Sequence, residues 1–160
     1  MIRNSIKTGI SFGLTSAIIT TLGLMVGLNS STHSQAIVLG GILMIAIADA
    51  LSDSLGIHIS EESKKTAGSD TDVWEATGAT FGAKLLFALT FAIPVLLLEL
   101  ELAMIVSVAW GLLALAVLSY YIAKTNKENP AYVIGEHILI AVVVIAATYM
   151  IGDWIATNFQ

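Results

Sequence analysis

The sequence predicts an all-α polytopic membrane protein: a single bundle of five transmembrane helices, N-terminus cytoplasmic and C-terminus on the opposite side. Three observations carry that expectation. Of 160 residues, 56% are hydrophobic and only 12% are charged, about half the charged share of a soluble domain. Five apolar runs, roughly 9–28, 36–57, 79–98, 102–122 and 133–156, each supply the ~20 residues that a helix needs to cross ~30 Å of hydrocarbon. With five crossings, the basic residues of the connecting segments all fall on one side.

The same composition excludes several classes. Too little polar surface is present to coat an ordinary soluble enzyme. Cysteine is absent, which removes disulfides, thiolate metal sites and a cysteine nucleophile. A net charge of −5 with seven basic residues gives nucleic-acid binding no electrostatic basis. Strand alternation is missing, and in lipid the backbone must then bond within its own helix. No phosphate-binding glycine loop with lysine is present, so ATP-driven pumping is not expected. A membrane enzyme lacks a nucleophile–base set and a histidine-rich cage. No linker divides the chain, so residues 1–160 read as one transmembrane domain.

The first span follows Arg3 and Lys7, the pattern of a signal peptide. Its length and its polar Thr15, Ser16, Thr20 and Thr21 favour a retained helix. Gly9 and Gly13, like Gly23 and Gly27, are four apart and allow close helix approach, either at the centre of the bundle or at a dimer seam. A polar segment, 29–35, leads to the second span, which carries Asp49 and Asp53. The longest loop, 60–72, reads SEESKKTAGSDTD. The third span carries Lys84 and has Pro94 near its far end. A tight hairpin at 99–101 precedes the fourth span. The segment 124–130, KTNKENP, places Pro130 at the start of the fifth, which carries Glu136 and His137.

Orientation follows from lysine and arginine. Arg3, Lys7, Lys64, Lys65, Lys124 and Lys127 fall on one side, whereas segments 29–35 and 99–101 and the tail have none.

An ionisable residue inside a span costs about 2.5–3.5 kcal/mol and calls for a partner, a cavity or a job. Asp49 and Asp53 share a helix face, roughly 12 and 6 Å below the cytoplasmic end of their apolar run at ~1.5 Å per residue. Glu136 and Lys84 lie at similar depths, which permits one cluster in the cytoplasmic half. Carboxylates joined by the imidazole of His137 suit iron(II) or manganese(II). The candidate metal ligands are therefore Asp49, Asp53, Glu136 and His137. Glu61, Glu62 and Glu75, with Asp70 and Asp72, either gather cations at the loop or form a solvated face. Lys84 reads as a structural counter-charge. The alternative is that Lys84 and Asp49 form a buried ion pair fixing helix register, with Glu136 snorkelling to the interface. His33 and His58 read as surface residues, Met25, Met44, Met104 and Met150 as packing, and Glu99, Glu101 and Asp153 as hairpin and helix-end residues. No resident cofactor is expected; iron(II) or manganese(II) would be cargo.

The segment GISFGLTSAIITTLGLMVGL resembles the first span of the vacuolar iron transporter family. ADALSDSLGIHISEES is similar to the end of that family's second span and the start of its cytoplasmic loop, and GATFGAKLLFALTFAIPVLLL to its third span. The resemblance implies a five-helix fold in the lipid bilayer, a homodimer through the first span, and export of iron(II), often manganese(II), from the cytoplasm in exchange for protons. A short single-domain chain of this kind looks prokaryotic, with the cell membrane as its location.

Three departures stand out. Phe12 occupies the place of an aspartate directly before GLT, Asp53 stands where a methionine is common, and segment 60–72 replaces a long glutamate-rich extension. The charge has relocated to the second span, or the ion differs, or transport is lost. The rival expectation is a non-transporting scaffold or accessory subunit whose buried charges are structural ion pairs.

Overall fold

The structure is a computed structural model that describes residues 3–64 and 70–159. Six helices follow in order: α1 (Asn4–Thr32), α2 (Gln35–Ser63), α3 (Asp70–Thr90), α4 (Ala92–Leu97), α5 (Leu100–Asn126) and α6 (Pro130–Phe159). α3 and α4 together make one span, so five segments are long and apolar enough to cross a membrane. There is no strand among the described residues. The all-α five-helix bundle expected from the sequence is the fold.

The helices overrun their apolar runs because nothing in the flanking polar residues breaks them. Two left-handed residues do. His33, at φ 48°, ends α1 and donates its N–H to Asn29 O, and Ser34 then caps α2 by accepting from Ile37 N–H. Lys127, at φ 60°, ends α5 in the same way on Ala123 O. Asn129 Oδ1 accepts the Ala131 N–H, and Pro130 supplies the first residue of α6, where a missing N–H costs nothing.

Two boundaries differ from expectation. The loop placed at 60–72 is shorter: α2 runs through Ser63, α3 starts at Asp70, and residues 65–69, Lys65 among them, lie outside the described residues. The segment SEES has neither glycine nor proline, and Glu61 pairs with Lys64 at 2.8 Å one turn on, so the helix continues. The third span is also broken. Pro94 has no N–H to give the Thr90 carbonyl and its ring crowds that carbonyl, so the helix stops at Thr90 and resumes at Ala92. Phe91 N–H turns back to Ala88 O, while Trp110 Nε1–H donates to Thr90 Oγ1 and ties the break to α5.

α1 is the central helix, packed against α2, α3, α5 and α6. Its glycines explain how. A Cβ at Gly9 would stand 2.4 Å from Ala76 O, and one at Gly13 would stand 2.7 Å from Thr80 O. On the same helix, a Cβ at Gly23 would lie 2.9 Å from Val144 Cγ1, and one at Gly27 would lie 3.3 Å from Thr148 O. The first pair thus admits the α3 backbone and the second admits α6. Between the bundle centre and a dimer seam, these four glycines serve the centre.

Ile18, Leu22, Met25, Ile42, Phe91 and Leu115 form the core around α1, and Met104 is buried with them. Leu86, Leu97, Ile105 and Tyr121 point outward, as do Met44 and Met150. Apolar exposure on that scale suits a lipid-facing surface.

Replacing Gly13 by valine is expected to lose about 1–3 kcal/mol through overpacking against Thr80 O. Gly82→Ala and Gly135→Ala, where a Cβ meets nothing within 4 Å, are expected to be neutral or to gain up to about 1 kcal/mol, as for an exposed helical glycine. Thermal unfolding in detergent checks the contrast.

Candidate functional site

The largest fully buried side chain among the described residues is a charged one, Lys84. Its surroundings build the site. Gly13 lets the α3 backbone at Thr80–Lys84 lie directly on α1; a Cβ there would stand 3.3 Å from Lys84 N. That approach delivers the lysine stem between α1 and α2. Its ammonium ends 2.6 Å from Asp49 Oδ2, within ion-pair contact of Asp53 Oδ2, and donates to Ser16 Oγ at 2.7 Å. Two of its contacts, to Ser16 and Asp53, are hydrogen bonds, and the contact with Asp49 is an ion pair.

The aspartates are held from the other side by α1. Ser16 Oγ donates to Asp53 Oδ2 at 2.6 Å. Thr20 Oγ1 shares its proton between Asp49 Oδ2 and Ser16 O, both at 2.8 Å. The register is that of antiparallel helices one turn apart: Ser16 meets Asp53, and Thr20 meets Asp49. Phe12, 41% exposed, continues the Ser16–Thr20 stripe one turn toward the start of α1. Asp49 is the middle residue of α2, and Lys84 sits midway along the α3–α4 span. The polar overhang of α2 and α3 lies beyond Ser60 and before Val73, so the cluster falls in the half of the apolar stretch nearer the α2–α3 connection.

Two features of this cluster matter chemically. Two carboxylates face one ammonium, a surplus of one negative charge. In addition, each aspartate spends only Oδ2: neither Oδ1 accepts a hydrogen bond from the described residues. The ammonium is 1% exposed, whereas the Asp49 and Asp53 side chains are 24% and 22% exposed. The lysine is sealed in and the two acids are partly open.

The other candidate ligands stand elsewhere. Glu136 and His137 are on α6, which packs on α1 and α5 rather than on α2 or α3. With Glu128, Asn129 and Tyr132 they line a separate cavity of about 450 Å³ between α5 and α6. The four-residue cluster of Asp49, Asp53, Glu136 and His137 expected from equal depth is therefore not assembled: matching depth leaves rotation about the helix axis free. Among the described residues no group of three or more His, Asp or Glu side chains is placed to hold a metal.

His137 Nδ1 is 2.7 Å from Ser119 Oγ, and that hydroxyl donates to Leu115 O. His58 Nδ1 is 3.0 Å from Thr77 Oγ1, and its ring packs edge-on to Trp74.

The loop acids are largely committed. Arg3 pairs with Asp72 at 2.5 Å and with Glu75 at 2.7 Å, and Ser5 donates to Glu75, which pins the start of α1 to the start of α3. Glu61 pairs with Lys64, and Glu62 is exposed.

Ser16 and Thr20 hold the two aspartates, a role that the sequence reading did not give them. The signal was available: two hydroxyls four apart on α1 match two carboxylates four apart on the next, antiparallel helix. No protein-family model and no characterised protein sequence matches the chain.

In metal-free buffer Lys84→Met strands two carboxylates and is expected to lose about 3–5 kcal/mol. Asp53→Asn leaves a balanced Lys84–Asp49 pair and a hydrogen-bonding amide, and is expected to lose only about 1–2 kcal/mol. Unfolding of the purified variants in detergent distinguishes the two; equal losses would contradict the charge surplus.

Proposed function

We propose that the chain is a small homodimeric membrane transporter that carries a divalent cation, iron(II) or manganese(II), out of the cytoplasm in exchange for protons, with Asp49 and Asp53 as the residues that hold the ion. The observation behind this reading is the surplus charge of the α1–α2–α3 cluster and its two unspent carboxylate oxygens. A surplus negative charge within the apolar zone is costly, and a cation removes that cost. A site of carboxylate and hydroxyl oxygens suits manganese(II) and iron(II) better than copper(I), which prefers thiolate or thioether. With only two carboxylates the ion keeps part of its water shell. That limits affinity, as an ion that must leave again requires.

Proton exchange follows from the same atoms. When the ion departs, the carboxylate oxygens that it leaves are the local proton acceptors, so ion and proton occupy the site in alternation. The resemblance of the first two spans to the vacuolar iron transporter family supports the choice of ion, the outward direction and the homodimer through the first span. A prokaryotic cell membrane is the corresponding location. Glu136, His137 and the loop glutamates take no part in holding the ion in this reading.

One observation favours a second reading. The buried Lys84 is ion-paired to a neighbouring helix within the chain, a contact that a scaffold or accessory subunit would use to hold helices in register.

Uptake of manganese(II) into proteoliposomes under an imposed pH gradient separates the two. The transport reading expects gradient-driven flux that falls to the protein-free level in the Asp49→Asn, Asp53→Asn double variant. The scaffold reading expects no flux above the protein-free level from the wild-type chain.

A further inference from the structure

The ion proposed above and the Lys84 ammonium make competing demands. The ammonium contacts Asp49 Oδ2, Asp53 Oδ2 and Ser16 Oγ. The same two carboxylates and hydroxyl are also the groups that a hard divalent cation would take from this chain. A lysine serving only to neutralise one aspartate would need one of these contacts. This one makes all three, from a stem anchored where Gly13 presses α3 onto α1.

From this we infer that Lys84 is a tethered occupant of the cation site: its ammonium rests on the same two carboxylates that would hold the travelling ion, so ion and ammonium exclude one another. The inference rests on the transport reading and names the residue that regulates the site.

Charge supports the exclusion. With the ammonium in place the cluster carries one negative charge. A divalent ion added beside it would leave one positive charge and set two cations against each other across shared carboxylates, within the apolar zone. With the ammonium withdrawn, two carboxylates and a divalent ion balance. The tether also gives the empty site a resting state, because the two aspartates are not left facing each other when the ion leaves. The ammonium balances one carboxylate of the emptied site and a proton balances the other, so the site returns through an apolar layer without net charge.

The experiment uses the full chain in detergent and manganese(II) alone, followed by the electron paramagnetic resonance signal of the free ion. Lys84→Met and Lys84→Gln remove the tethered charge while keeping much of the stem. Each is expected to bind manganese(II) at least about tenfold more tightly than wild type, a tenfold change being a modest share of the interaction of a close charge pair. Manganese(II) is also expected to raise the melting temperature of each variant more than that of wild type, because the ion replaces the missing ammonium. Adding Asp49→Asn and Asp53→Asn to Lys84→Met is expected to abolish both effects. In the wild-type chain, saturating manganese(II) is expected to increase acylation of Lys84 by an amine-directed reagent, read by peptide mass.

If wild type binds manganese(II) but neither variant binds it more tightly nor gains stability from it, the tether is overturned while the transport reading stands. If no form binds manganese(II), both fall. If neither variant folds even with manganese(II) present, Lys84 acylation in wild type decides, and a reactivity unmoved by the bound ion overturns the tether.

Discussion

A lysine ammonium enclosed between three helices is the constraint on which the rest of this structure depends. A buried ammonium without partners would cost several kcal/mol, so its position dictates what the neighbouring helices must provide. α2 supplies two carboxylates one turn apart. α1 supplies a serine and a threonine one turn apart in matching antiparallel register. The glycine that brings α3 close enough, Gly13, precedes Ser16 by three residues on α1. Helix packing and site chemistry are therefore one problem here: the small residue that permits the close contact also sets where the lysine ends. The second glycine pair, Gly23 and Gly27, performs the same packing service for α6 with no charge involved. The polar half and the apolar half of α1 thus solve the approach problem separately.

The sequence was legible along the membrane normal and much less so around the helix axes. Apolar run lengths located five spans, and the intramembrane charges Asp49, Asp53 and Lys84 declared themselves by cost. Depth could be counted from the same runs. Rotation could not, because a helix that is apolar on nearly every side carries little sign of which face meets which neighbour. Glu136 illustrates this: it sits at a depth compatible with the aspartates but is exposed on α6, away from α2. His137 turns toward α5 because Ser119 waits there, a hydroxyl with no distinguishing pattern in the sequence. Helix ends were misplaced for a different reason. Hydropathy marks where lipid ends, whereas a helix stops only where a left-handed residue, a proline or a cap intervenes, as at His33, Lys127 and Pro94.

The stripe Phe12, Ser16, Thr20 bears on the departures from the vacuolar iron transporter pattern. An aspartate at position 12 would stand one helical turn before Ser16, on the face that meets α2. In this chain that turn carries an aromatic ring, and the carboxylates stand instead across from Ser16 and Thr20. Carboxylates on α2 facing hydroxyls on α1 make this interhelical seam polar and lie within reach of the Lys84 ammonium from α3.

A purely structural ion pair would look different. To staple α3 to α2, one aspartate and one lysine suffice, and a balanced pair is the less costly arrangement in an apolar surrounding. This cluster instead has a second carboxylate. It leaves one oxygen of each aspartate without a hydrogen bond from the described residues and keeps the acids about a quarter exposed while the lysine is sealed. The imbalance is graded: the lysine is buried, and the two acids are partly exposed. Such an arrangement is poorly suited to holding helices together at least cost, and well suited to receiving a positive charge from outside. The feature that distinguishes the two readings is thus the surplus of carboxylate over ammonium.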